Sequence, residues 1–247
     1  MRVFRIVGAI AAALALATPL VAQDSTGAAG RRRDGPPSEL ALRSAGSLAV
    51  IQSRPLGEMA RNINFGYGVD GAYLFRLDHA GMFSLRADVG IAQYGNYSKR
   101  VPLSSTIGGR VQVDVVTDND VAALSFGPQL ARPTGMIRPY VNAGVGAQFF
   151  FTDSHVNGTD GTSEFANTTN QHDWTPVWVA GGGVTVPVYQ RRMHVLLDAG
   201  VQYLEGGHAK YLRPDSIHDF PDGHIEITPI ESDTHMALVH VGVRIGL

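Results

Sequence analysis

The chain has 247 residues, a formal net charge of −2, no Cys and 29 Gly. The balanced charge excludes the basic excess that nucleic acid demands, and the lack of Cys excludes disulfides and thiolate-bound metal. That much glycine argues against a helix-rich fold.

Residues 1–22 place Arg2 and Arg5 ahead of an apolar run, IVGAIAAALALATPLVA, which ends in small residues before Gln23. This is the pattern of a secretory signal peptide, with cleavage expected after Ala22. As a membrane-anchor helix the run is short and diluted by alanine. Residues 23–38, QDSTGAAGRRRDGPPS, are rich in Gly, Pro and charge, and are expected to form a disordered lead-in. Arg31 to Arg33 read as a solvated charge run, with anionic headgroups as the alternative contact. Residues 39–247 are expected to form one domain.

From residue 40 onward the hydropathy alternates with period two, which predicts strands. A strand at 40–54 is followed by a brief link through RPLGE. The next stretch places Ile63, Phe65, Tyr67, Val69, Tyr73, Phe75 and Leu77 on one face, and Asn62, Asn64, Gly66, Gly68, Asp70 and Arg76 on the other. Phe83 to Ile91 alternate with Ser84, Arg86, Asp88 and Gly90. Ala122, Leu124, Phe126 and Leu130 oppose Ser125, Gly127 and Gln129. Val141, Val145, Phe149 and Phe151 oppose Asn142, Gly144, Gly146 and Gln148. Trp174, Trp178, Val184 and Val186 share a face. Val195, Leu197, Val201 and Tyr203 oppose His194, Asp198 and Gln202. The last strand sets Val239, Val241, Val243, Ile245 and Leu247 against His240, Gly242, Arg244 and Gly246. No window sustains a helical period.

Residues 78–81, 132–136 and 189–192 are predicted tight turns; 96–119, 153–171 and 206–233 are predicted long polar loops. Short and long connections alternate, giving eight strands. RVQVDVV (110–116) and HIEITPI (224–230) also alternate. Counted separately they would raise the number to ten; here they are expected to extend the barrel beyond the membrane.

The polar faces decide which way the strands turn. They carry Asp70, Arg76, Arg86, Asp88, Asp198 and Arg244 among many glycines and almost no Lys. A soluble surface would carry many Lys and Glu, whereas balanced charges among small residues suit a narrow lumen. The strands are also long enough for a tilted membrane strand, which needs about 9–11 residues. Aromatics near strand ends fit interfacial girdles. The expected fold is an all-β, eight-stranded, antiparallel up-and-down transmembrane β-barrel. A soluble lipocalin-like barrel or sandwich is the alternative.

The final HVGVRIGL resembles the C-terminal assembly signal of bacterial outer-membrane proteins, matched here by His240, Gly242, Val243 and Ile245. Leu247 stands where that family usually ends in an aromatic. PLGEM (55–59) resembles the Pro-x-Gly-x-Phe turn after the first strand, with Met59 in place of Phe. Over residues 40–247 the chain resembles the small eight-stranded OmpX/OmpW-like outer-membrane barrels. The resemblance implies an outer-membrane location reached through the periplasm, contact with outer-membrane lipid and insertion by the barrel-assembly machinery. It implies a non-enzymatic structural or surface-interaction role through the long loops, or a narrow channel for small or apolar solutes. The ligand or surface partner is not identified by it.

Asp70, Arg76, Arg86, Asp88, Asp198, His240 and Arg244 are the candidate lumen charges. Eight strands leave an interior just wide enough for side chains, so a salt-bridge plug is favoured over a conductive path. GYGVDG (66–71) matches a dinucleotide fingerprint but sits inside a strand. Asp198 and His240 share the inner face, yet no nucleophile stands out beside them. The loop His208, His218 and His224, and the loop acids Asp118, Asp120, Asp153, Asp160 and Glu164, lack regular ligand spacing. No catalytic site, metal or cofactor is expected.

Overall fold

The computed structural model describes residues 43–102, 112–158, 166–190, 193–213, 216–219 and 225–247. The expected signal peptide and lead-in lie outside them. Seven strands run in order: β1 (Ser44–Pro55), β2 (Gly66–Arg76), β3 (Phe83–Pro102), β4 (Gln112–Ala131), β5 (Arg138–Gly158), β6 (Ala166–Gln190) and β7 (His194–Gly206). Four short strands follow: β8 (His208–Tyr211), β9 (Ile217–Asp219), β10 (Ile225–Ile227) and β11 (Ile230–Asp233). The last is β12 (Met236–Gly246).

Each barrel strand pairs antiparallel with its neighbour in sequence, and β12 pairs with both β7 and β1 to close the sheet. The β1–β12 ladder runs from Ala45↔Gly246 to Pro55↔Met236. The Leu247 N–H extends it by donating to the Ser44 carbonyl at 2.8 Å. Closure of the eight-stranded belt leaves no free edge within it, so strand amides there pair without water.

The side chains are turned inside out relative to a soluble barrel. Val50, Val145, Leu197, Val201 and Val241 point outward and are exposed. Tyr67, Phe149, Trp174, Trp178 and Tyr203 ring the barrel near one end, and Phe75, Phe83 and Tyr189 near the other. Trp178 leaves 68% of its surface uncovered, beside buried Gln148 and Thr175 on the inner face. An apolar belt between aromatic rings, around a partly polar interior, is the arrangement of a transmembrane barrel. The termini of the barrel and the tight connections share one end, here the turn end; the longer connections form the loop end.

Several expectations need correction. The described parts of 96–119 and 153–171 are strand, because the β3–β4, β4–β5 and β5–β6 ladders continue past the aromatic ring. Polar cross-strand partners replace apolar ones there, as in Thr117 with Ser154 at 2.8 Å and Arg100 with Asp114 at 2.9 Å. A β-bulge falls between Gln93 and Gly95 on β3. Thr117–Asp120 continue β4 without a turn. The 224–230 stretch supplies β10 inside the last loop and adds no barrel strand. Ile63 precedes β2, follows a single 3-10 turn (Met59–Arg61), and is buried rather than lipid-facing.

Candidate functional site: a sealed lumen

The inner face has two zones. In the half toward the turn end, parity brings polar side chains from most strands to one level. On β3, Arg86 and Asp88 are two residues apart and therefore on the same face. Arg86 Nε donates to both Asp88 oxygens at 2.8 and 3.0 Å, and its Nη1 donates to Gln129 Oε1 at 3.1 Å. Gln202 on β7 reaches across the lumen and donates to Asp88 Oδ1 at 3.4 Å. On the other wall, Arg244 Nη2 makes a short ion pair with Asp198 Oδ2.

Tyr140 on β5 ties the two pairs together. Its hydroxyl donates to Asp198 Oδ1 at 2.8 Å and lies 3.0 Å from His240 Nε2. Its ring lies under both guanidinium groups, 5.8 Å from Arg86 Cζ and 5.0 Å from Arg244 Cζ, a cation–π arrangement on each side. Space for this stack comes from glycine. A Cβ at Gly183 would lie 2.6 Å from the Tyr140 hydroxyl, and one at Gly200 would lie 2.8 Å from His240 Cε1.

The seven expected lumen charges therefore separate. Arg86, Asp88, Asp198, His240 and Arg244 meet in one network, all buried. Asp70 is buried beside it, faces Gly90, and has no hydrogen bond among the described residues. Arg76 lines a second cavity at the turn end together with Arg244. Within the terminal segment, His240 belongs to the network, Gly242 packs against Ala49, and Val243, Ile245 and Leu247 lie on the outward face of β12 and its end.

Toward the loop end an apolar cluster occupies much of the lumen, with buried Gln148, Thr175, Asn119 and Thr152 on the same inner face. Ile51, Ala92, Val121, Phe150, Leu204 and Leu238 point inward and pack together. Met59 and Ile63, from the β1–β2 connection, join them from above. Tyr211 at the end of β8 packs against Tyr94 and Phe150, with ring centroids 6.3 and 5.7 Å away. Its hydroxyl accepts from Asn62 Nδ2 at 3.2 Å and contacts Ser232 Oγ at 2.9 Å. Between the two zones remains a cavity of about 20 Å³, lined by Asp70 and Asp88 below and by Val177, Val179 and Leu204 above. That is room for about one water.

Sequence reasoning missed Tyr140 and the apolar zone. Both carried a signal: Tyr140 has the parity of Asn142, and Phe150 that of Gln148. GYGVDG lies wholly within β2, with no helix after it, so it makes no phosphate loop. Beyond the aromatic ring at the loop end, Asp118 accepts from Gln93 Nε2 at 2.8 Å, and Asp153 accepts from Thr169 Oγ1 at 2.8 Å. Among the described residues no group of three or more His, Cys, Asp or Glu is placed to hold a metal ion. Asp160, Glu164 and His224 lie outside the described residues.

No family model matches the chain, and no curated protein matches it. Solved structures similar to it include neisserial surface protein A, at 13% identity and TM-score 0.41, over 83% of this chain and 97% of that one. The outer membrane protein OprG of Pseudomonas aeruginosa is 12% identical with TM-score 0.44, over 85% of this chain and 97% of that one. Ail, the attachment invasion locus protein of Yersinia pestis, solved with the heparin analogue sucrose octasulfate, is 12% identical with TM-score 0.39, over 83% and 97%.

Proposed function

We propose that this chain is a non-enzymatic outer-membrane barrel whose lumen is closed, and which acts as a structural or surface-contact protein through its loop end. In this account the turn end faces the periplasm and the loop end faces outward. The observation that carries it is the polar network that spans the lumen from β3 to β7 and β12. Ions would have to break buried charge pairs to pass, and separating such a pair costs several kcal/mol. The packed cluster above adds a second obstruction, because side chains fill the narrow lumen of an eight-stranded barrel.

The matching lipid contacts are the exposed valines, leucines and aromatics of the belt. The terminal residues His240, Gly242, Val243, Ile245 and Leu247 would serve as the assembly signal, presented on the closing strand. The mature domain would begin near residue 39, after removal of residues 1–22.

A narrow path for small apolar solutes is the second possibility, favoured by the apolar zone and its small cavity. Planar-bilayer conductance and solute uptake by liposomes separate the two. The closed-lumen account predicts no steady conductance from the native protein, and none from Arg86→Gln or Arg244→Gln until the barrel is destabilised. Stable conductance whose ion selectivity changes with either substitution would overturn it.

A further inference from the structure

The chain has no Cys, so methionine is its only sulfur nucleophile. The described methionines fall into two groups. Met82, Met136 and Met193 each stand in a tight connection at the turn end, one or two residues before β3, β5 and β7 begin. They leave 42, 79 and 50% of their surface uncovered, and Met136 is the most exposed of the large apolar side chains described. Met59 and Met236 belong to the packed cluster at the loop end and are 1 and 2% exposed. We infer that the turn end is a modification site for peroxides. Met136 is converted to its sulfoxide first, Met193 and Met82 follow, and Met59 and Met236 are spared.

The chemistry needs only the thioether and a peroxide. The sulfur lone pair attacks one peroxide oxygen, and the S–O bond forms as the O–O bond breaks. The proton on the transferred oxygen passes to the departing one, which leaves as water, or as an alcohol from an organic peroxide. Sulfur is oxidised by two electrons and the peroxide is reduced by two. Susceptibility follows exposure, and methionine sulfoxide reductases reverse the product, one enzyme for each epimer. With no thiol in the chain, nothing more nucleophilic competes for the oxidant.

The two placements differ in what oxidation does to the barrel. A sulfoxide is polar where the thioether was flexible and apolar. At Met136, beside exposed Ile137, it lies outside both the polar network and the packed cluster, so the lumen stays closed. At Met59 or Met236 it would bring a polar oxygen into packed apolar surroundings, and burying such a group without a partner is costly. The reactive sulfur is thus kept where its oxidation leaves the seals intact. The order follows from burial in the barrel, whichever side of the membrane the turns face.

The test uses the full-length mature barrel, refolded in peroxide-free detergent and treated with hydrogen peroxide for increasing times. Peptide mass spectrometry follows the gain of one oxygen at each methionine, and gel mobility with and without boiling follows the fold. Met136 should react roughly tenfold or more faster than Met59 or Met236, with Met193 and Met82 between them, as exposure dictates. The boiling shift should persist after the turn methionines are oxidised. Unfolding in urea should bring all of these rates together, and treatment with reductases for both epimers should restore Met136. Met136→Leu should remove the fastest event and leave the rate at Met193 unchanged. The proposal is overturned if Met59 or Met236 is oxidised as fast as Met136 while the boiling shift is intact. It is also overturned if oxidation of the turn methionines alone abolishes that shift, or if Met136 stays a thioether while the urea-unfolded chain is fully oxidised.

Discussion

The Tyr140 hydroxyl donates to Asp198 Oδ1 at 2.8 Å, from β5 to β7, and lies within 3.0 Å of His240 on β12. One phenol thus connects three strands of the barrel wall. Tyr140→Phe removes that donor while keeping the ring beneath Arg86 and Arg244. It should cost about 1–3 kcal/mol, the usual penalty for leaving a buried acceptor short of a partner. Urea unfolding of the refolded protein measures it. An unchanged midpoint would mean that the hydroxyl carries no weight in the network.

Asp198→Asn should cost more, about 3–5 kcal/mol, because it leaves the Arg244 charge buried without its carboxylate. Adding Arg244→Met should recover much of that loss, since replacing both members of a buried pair by apolar groups is often neutral. Equal destabilisation in the single and double variants would show that packing, and not charge, dominates at this position.

Val241 sits opposite Val50 on β1 and Ala199 on β7, in the middle of the exposed apolar face. Val241→Arg should destabilise the lipid-embedded barrel by about 2–4 kcal/mol, the cost of a cation near the bilayer midplane. A soluble barrel with this face in water would tolerate the change. Refolding titrations in liposomes distinguish the two.

At the turn between β2 and β3, Asp78 accepts the Phe83 amide at 2.8 Å and the Met82 amide at 3.1 Å. The Phe83 N–H, more than any other group, holds the carboxyl below the ordinary carboxylate range. The folded pKa is depressed, so the stabilisation is present above the unfolded pKa and lost as pH falls through the folded value. NMR titration should place the Asp78 midpoint below that of an unstructured aspartate, with the Phe83 amide becoming exchange-labile over the same acid range. Asp78→Asn should abolish that pH dependence. A midpoint at or above the unstructured value would contradict the turn geometry.

The strand count and the facing of most side chains were legible because period two runs through the membrane-level part of most barrel strands, broken by register shifts such as that between Gln93 and Gly95. Parity alone set Arg86, Asp88, Asp198, His240 and Arg244 on the polar faces of their strands, and all five are buried. It could not reveal which of these meet, because Gln202 and Asp88 come together only when the sheet closes and brings β3 opposite β7. Ile51, Phe150, Leu204 and Leu238 were hidden for another reason. An apolar residue on the inner face beside an apolar residue on the outer face blurs the alternation, as in the run Phe149 to Phe151. The long strand extensions were masked by composition: Asn, Asp and Thr read as loop residues, but here they pair across strands.

The account rests on the apolar face meeting lipid in a closed barrel, and this is tested by fractionating expressing cells and running the protein with and without boiling. The account predicts an outer-membrane band, extracted only by detergent, that changes mobility on boiling. A band in the soluble periplasmic fraction, with the same mobility in both lanes, would contradict it and turn the belt of valines and tryptophans into an exposed surface still in need of a partner.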